Sequence, residues 1–326
     1  MVDVPNRDRL LTVLVAVCWG LNFPATALAL EHFPPLFMVA LRFALVALPT
    51  VLLVPRPAVR LRWLFGTGLG MGVLQFAFLY LGMAAGMPSG LASLVLQASA
   101  PFTVLLAGVF LRERLTRRQV AGIVIAVGGL AAIAAHLGQT AALLPVVLTL
   151  CGALGWAIGN VCSRQAHAPK PLHLTLWMST VPPIPMLTVA LIVEGPARIG
   201  ASLTGAFSLA ALPSVLELLY IVLIATVLGY GLWNRLLSNY PSSTVAPFSM
   251  LVPVVGVISS WLIFGEAFDT VEIVAGAAVI GGVLVGSLPR RRPTEPVSTE
   301  PVSTEPVSTE PVVDPSTVDR ILQTRR

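Results

Sequence analysis

Ser89, Ser93, Gln97 and Pro101 follow one another at intervals of four residues. At 3.6 residues per turn, that spacing lines up three hydrogen-bonding side chains on one helix face. Pro101 has no amide hydrogen, so it leaves the carbonyl of Gln97 free and kinks the chain. Pro253 frees the carbonyl of Ser249 in the same way. Other polar and aromatic residues share faces: Trp19, Asn22 and Thr26; Trp156, Asn160 and Arg164; Thr226, Tyr230 and Asn234, with Trp233 beside them. The chemistry on offer is recognition. Amides and hydroxyls donate to a carboxylate, free carbonyls accept from an ammonium, and indole and phenol rings attract a cation.

The candidate substrate-binding residues are therefore Trp19, Asn22, Arg42, Tyr80, Ser93, Gln97, Trp156, Asn160, Tyr230, Trp233 and Ser249, with Pro101 and Pro253 as kink or gating positions. Such a set, with few fixed charges, suits a small zwitterionic solute. A polyphosphorylated one would need several buried Lys or Arg. Arg42 has two readings, left open here: it pairs with a substrate carboxylate, or it snorkels to the nearby interface seven residues after Pro35. Glu217 is the candidate proton carrier, since a desolvated carboxylate can bind and release a proton. It lies four residues after Pro213, so a solvated interfacial role competes. Pro101 and Pro253 have a rival explanation as packing kinks, because proline is frequent in membrane helices.

Bond-making chemistry finds no support. No HExxH and no paired carboxylate occur within the apolar runs, and His32, His136, His167 and His173 lie at helix ends or in loops. Cys18, Cys151 and Cys162 sit inside apolar runs without CxxC spacing. The expectation is a protein that is not an enzyme and has no cofactor and no metal.

The elements that must carry these residues follow from composition. The chain has 326 residues, 56% hydrophobic and 11% charged, with a mean hydropathy of +0.87. Soluble domains carry roughly 25% charge, so a soluble globular protein is excluded, as is disorder over the bulk of the chain. Ten apolar runs are long enough to span a bilayer: 10–29, 35–54, 63–83, 88–111, 118–136, 143–163, 171–193, 213–236, 243–264 and 271–288. They are continuous, not alternating, which excludes a β-barrel. The fold class is an all-α polytopic membrane protein.

Of the 20 Lys and Arg residues, all but Arg42 and Arg198 fall at one set of helix ends. By the positive-inside rule that side is cytoplasmic, with both termini inside. The net charge of +5 thus reflects topology, and no nucleic-acid partner is expected. Ala25-Thr26-Ala27 could mimic a signal-peptidase site, but the retained-span pattern favours an uncleaved first helix. From Pro289 onward TEPVS repeats, and proline every fifth residue with Glu and Ser makes residues 289–326 a disordered cytoplasmic tail.

The chain also repeats internally. Pro88 and Pro241, Ser89 and Ser242, Tyr80 and Trp233, Glu113 and Glu266, and Gly128-Gly129 and Gly281-Gly282 all share an offset of 153 residues. The domains expected are residues 1–9, a first repeat 10–136, a second repeat 143–288, and the tail. Five spans per repeat is odd, so the second copy would be inverted. That is the symmetry of alternating-access transport, with the site near the midplane. Gly66, Gly68, Gly70 and Gly72 add overlapping GxxxG spacings for close helix packing.

These residues resemble a known family. Cys18-Trp19-Gly20-Leu21-Asn22-Phe23, Ala40-Leu41-Arg42-Phe43, Gly86 to Gln97, Glu113-Arg114-Leu115, Thr226 to Trp233 and Leu251 to Gly256 are similar to EamA-type drug/metabolite transporters over about residues 10–288. The resemblance implies ten helices in two inverted repeats. Helices one to four and six to nine would surround the cavity, with five and ten outside. It also implies export of amino acids and related metabolites, of the cysteine and O-acetylserine kind, across the inner membrane. Broad-specificity drug export is the alternative, and a homodimer is a candidate assembly. Trp19, Asn22, Arg42, Gln97, Pro101, Trp156, Asn160, Tyr230 and Pro253 match family positions. Glu217 and the TEPVS tail depart from the pattern.

Overall fold

The computed structural model describes residues 5–140, 143–240 and 245–287. The TEPVS tail and the Pro241-Ser242 pair lie outside the described residues. The chain folds into helices α1 (Asn6–Leu30), α2 (Pro35–Leu53), α3 (Leu61–Ala84), α4 (Ser89–Phe110), α5 (Arg117–Thr140), α6 (Leu144–Ala166), α7 (Pro171–Val193), α8 (Leu209–Asn239), α9 (Phe248–Phe264) and α10 (Thr270–Ser287). Among the described residues nine of these are long and apolar enough to cross a membrane, and α9 is a shorter apolar helix. In hydrocarbon each backbone amide must be satisfied within its own segment, so such runs become helices. Proline sits in the first turn of α2, α6 and α7, where a missing amide hydrogen costs nothing.

Besides the 3-10 turn Leu209–Ala211 at the start of α8 and the turn at 179–182 within α7, four stretches depart from α geometry. Gly68–Leu74 in α3 and Tyr220–Leu228 in α8 are π-helical. Leu96–Ala98 in α4 and Ala246–Met250 leading into α9 are 3-10. The 3-10 turns fall just before Pro101 and Pro253, where each proline removes a helical hydrogen bond.

Glycine sets the helix spacing in α3 through two separate GxxxG pairs. A Cβ on Gly66 would meet the Cys162 sulfur at 2.7 Å, and one on Gly70 would overlap the Gly159 amide and lie 2.8 Å from the Gly155 carbonyl, so this pair fits against α6. Gly68 and Gly72 face Val181 and Pro182 of α7 instead. Helix α7 packs behind α2 and α3, and α5 pairs with α10 through Gly122, Gly129 and Gly282.

The main apolar core is concentrated toward the end where α2 and α4 begin. Phe33, Phe37, Met87 and Leu91 are each no more than 5% exposed there. At that end Glu194 and Glu266 bond the first amides of α2 and α4. Glu266 and Glu272 lie at helix ends or in loops, where the sequence alone leads one to expect solvated carboxylates, and the structure differs. Glu266 is half-buried in its bonds to α4, and Glu272 is buried, its Oε2 accepting from the Asp269 amide at 3.1 Å. Asp269 itself faces His136 at 3.2 Å. At the arginine-rich end, Arg164 bonds Glu113 at 2.6 Å on the surface. There the Tyr240 hydroxyl also donates to the Asp8 carboxylate, which raises the phenol's pKa above its ordinary value.

Candidate functional site

A cavity of about 400 Å³ lies between α1, α2, α3, α4, α6, α8 and α9. Nine of the residues singled out for binding line it: Trp19, Asn22, Arg42, Ser93, Gln97, Trp156, Asn160, Tyr230 and Ser249. No residue of α5, α7 or α10 does. The wall nearest the packed core is buried at Arg42, Gln75, Leu79 and Ser93. Gln97, Thr103, Trp156, Asn160 and Tyr230 are half-buried and lie toward the arginine-rich end.

Arg42 is 3% exposed and does not snorkel. Its Nη1 donates to the Tyr80 hydroxyl at 2.6 Å and its Nη2 to the Thr226 hydroxyl at 2.9 Å. The guanidinium carbon lies 4.0 Å from the centre of the Phe76 ring, a cation–π contact. Its Nε is buried without a partner. Among the described residues no Asp or Glu lines the cavity, so the guanidinium meets no counter-charge from them there. Burying a charge is costly unless it is paired, which makes this wall receptive to an anionic group.

Tyr80, by contrast, is wholly buried and does not line the cavity. It bonds to Arg42 from behind. Trp233 also stands behind the wall, with its ring 5.2 Å from that of Trp19. Trp19 itself packs at 5.2 Å on Tyr230 and donates from its indole nitrogen to the Ala225 carbonyl at 2.9 Å. That carbonyl lies in the π-helical stretch of α8, where the widened turn disturbs the regular ladder and leaves an acceptor for a side chain. The Thr226 hydroxyl both receives the Arg42 bond and donates to the Ile221 carbonyl.

Pro101 does not reach the main cavity; it borders a small cleft shared with α5 and α10. Pro253 is buried, and its carbonyl is approached by the Ser93 hydroxyl at 3.4 Å. Glu217 is half-buried on α8 and is not among the lining residues.

Among the polar residues that line the cavity, sequence reasoning missed Gln75, Ser99 and Thr103. Gln75 is 3% exposed, and its Oε1 is buried without a partner. It is the lone amide in the apolar run of α3, a signal that was available in the sequence. Thr103 accepts from Asn160 Nδ2 at 3.3 Å and ties α4 to α6, a pairing that no spacing within one helix could reveal. Among the described residues, no group of three or more His, Cys, Asp or Glu converges to hold a metal.

Apolar helices enclosing a solute-sized chamber with polar and aromatic walls define a polytopic membrane protein built around a binding cavity. Comparison with known proteins gives the same class. The EamA-like transporter family matches the chain twice, over residues 9–135 and 143–288. A probable amino-acid metabolite efflux pump of Salmonella typhimurium is 42% identical, over 86% of this chain and 94% of its own. A protein of Escherichia coli K12 with the same description is 39% identical over the same shares. A solved crystal structure 18% identical in sequence superposes with a TM-score of 0.55, over 87% of this chain and 98% of that one, and shows the fold alone. The chain belongs to the EamA-like transporter family.

Proposed function

We propose that the protein exports small amino acids or closely related metabolites, of the cysteine and O-acetylserine kind, across the cell's inner membrane by alternating access. The observation that carries this reading is the buried Arg42 on the cavity wall, facing no carboxylate there among the described residues. A substrate carboxylate supplies the missing charge. The rings of Trp19, Tyr230 and Trp156 and the amides of Asn22, Gln97 and Asn160 give the rest of a zwitterion its partners. The two similar efflux pumps support the substrate class.

In this reading the arginine-rich helix ends are cytoplasmic, both termini are inside, and two five-helix units, 10–136 and 143–288, are inverted repeats. Three features support the repeat. The family matches each half separately. The π-helical stretches of α3 and α8 coincide once shifted by the 153-residue offset. The 3-10 turns before Pro101 and Pro253 recur at nearly the same shift. A packed end and a half-exposed opposite end then correspond to an inward-facing state. The protein carries solute without transforming it.

The test is direct. Overexpression should protect cells from excess cysteine or another small amino acid, and vesicles should move the labelled solute. Absence of both protection and flux for every amino acid tried would remove the proposal.

A further inference from the structure

The structure assigns Glu194 and Glu266 as a paired latch that holds the outer end of the cavity shut. Glu266 leaves the second half of the chain and grips α4 in the first. Its Oε1 accepts from the Ser89 amide and the Ser89 hydroxyl, each at 2.9 Å, and its Oε2 accepts from the Gly90 amide at 3.0 Å. The Ser89 hydroxyl also meets that of Ser260 on α9 at 2.7 Å. Glu194, just past α7, does the same to α2: its two oxygens accept from the Leu36 and Phe37 amides at 2.7 and 2.9 Å. Each carboxylate thus satisfies amides that a helix start leaves unpaired, and each opposes the positive end of that helix.

Both clamps join the two halves of the chain, and both sit at the end where Phe33, Phe37, Met87 and Leu91 are buried, Glu194 holding the amide of Phe37 itself. Gly90 permits the closure, since a Cβ there would lie 2.5 Å from Phe268 and 3.1 Å from Glu266 Oε2. The opposite end is fastened differently. Glu113, which precedes Glu266 by the repeat offset, bonds Arg164 across an exposed surface instead. An exposed pair contributes little, whereas a carboxylate on two helix amides holds both position and angle. Release of solute to the outside therefore requires both carboxylates to leave their helices. Glu194 and Glu266 are positioning residues for the closed state and touch no substrate.

The inference rests on the alternating-access reading, so its test needs no substrate. In a full-length chain with Cys18, Cys151 and Cys162 replaced by Ala, Leu91→Cys places one thiol at that buried end. The rate of its reaction with a maleimide in detergent reports opening. Glu194→Gln with Glu266→Gln should raise that rate at least about fivefold, because opening then breaks fewer charged hydrogen bonds. Gly90→Ala should do the same by displacing Glu266. An unchanged rate in the folded variants would overturn the latch, as would a lower melting temperature without faster labelling, the mark of helix caps alone. If the double variant fails to fold, Ser89→Ala with Ser260→Ala removes only the hydroxyl bonds and must shift the rate in the same direction for the latch to stand.

Discussion

Arg42→Gln removes the buried guanidinium while leaving an amide that can still bond Tyr80 or Thr226. If a substrate carboxylate pairs with Arg42, the variant loses a charged hydrogen bond worth about 1.5–3 kcal/mol. At roughly 1.4 kcal/mol per factor of ten, that is a loss of about 10- to 150-fold in affinity. The assay is binding of labelled cysteine to purified protein, repeated with cysteamine, which keeps the ammonium and the thiol and lacks the carboxylate. Cysteine should lose affinity by that factor, and cysteamine should bind both proteins alike. Folding is followed separately, because Arg42 also holds the wholly buried Tyr80 hydroxyl. Leaving a buried polar group short of a partner lowers stability by about 1–3 kcal/mol without reference to any ligand. Thr226→Val, which removes one of the two bonds orienting the guanidinium, should give an intermediate loss. A change under about threefold for cysteine, or an equal loss for both compounds, would refute the carboxylate role.

Other outcomes follow from the same geometry. Gly70→Ala should destabilise the protein by about 1–3 kcal/mol, since α3 and α6 must part to admit the methyl group, whereas Gly128→Ala, with nothing within 4 Å, should not; melting temperatures decide this. Asn160→Ala should slow transport by freeing Thr103 and removing an amide from the wall, and Asn22→Ala should do likewise; wild-type flux in both would contradict the site. Glu217→Gln should keep the response of flux to an imposed pH gradient, because Glu217 does not line the cavity, and loss of that response would make it the proton carrier.

The sequence made the class and most of the polar residues on the cavity wall legible because lipid imposes simple rules. Long apolar runs must be helices, and polar residues within them point inward, so stripes such as Trp19-Asn22 and Ser93-Gln97 could be read directly. Proline positions located the two backbone breaks for the same local reason. What escaped depends on contacts between distant segments. Arg42 was balanced between two fates until Tyr80, Thr226 and Phe76 were seen around it. Glu266 looked like a solvated loop residue because nothing near it in the chain shows that the start of α4 lies beside it. Trp233 and Tyr80 sit behind the wall because a stripe gives the face of a helix and not the depth of its neighbour.

The π-helical stretches of α3 and α8 make residue count matter differently along one helix. Each widened turn accommodates an extra residue. Deleting one residue from Gly68–Leu74 lets that turn relax to α geometry, and the tighter turn offsets the rotation lost with the residue, so Gln75, Phe76 and Leu79 keep their phase on the cavity wall. The same excision from regular α-helix would rotate everything beyond it by about 100°. In Tyr220–Leu228 the widened turn likewise protects the packing of Tyr230 on Trp19. Single-residue deletions should therefore be better tolerated within these two turns than in the α-helical parts of the same helices.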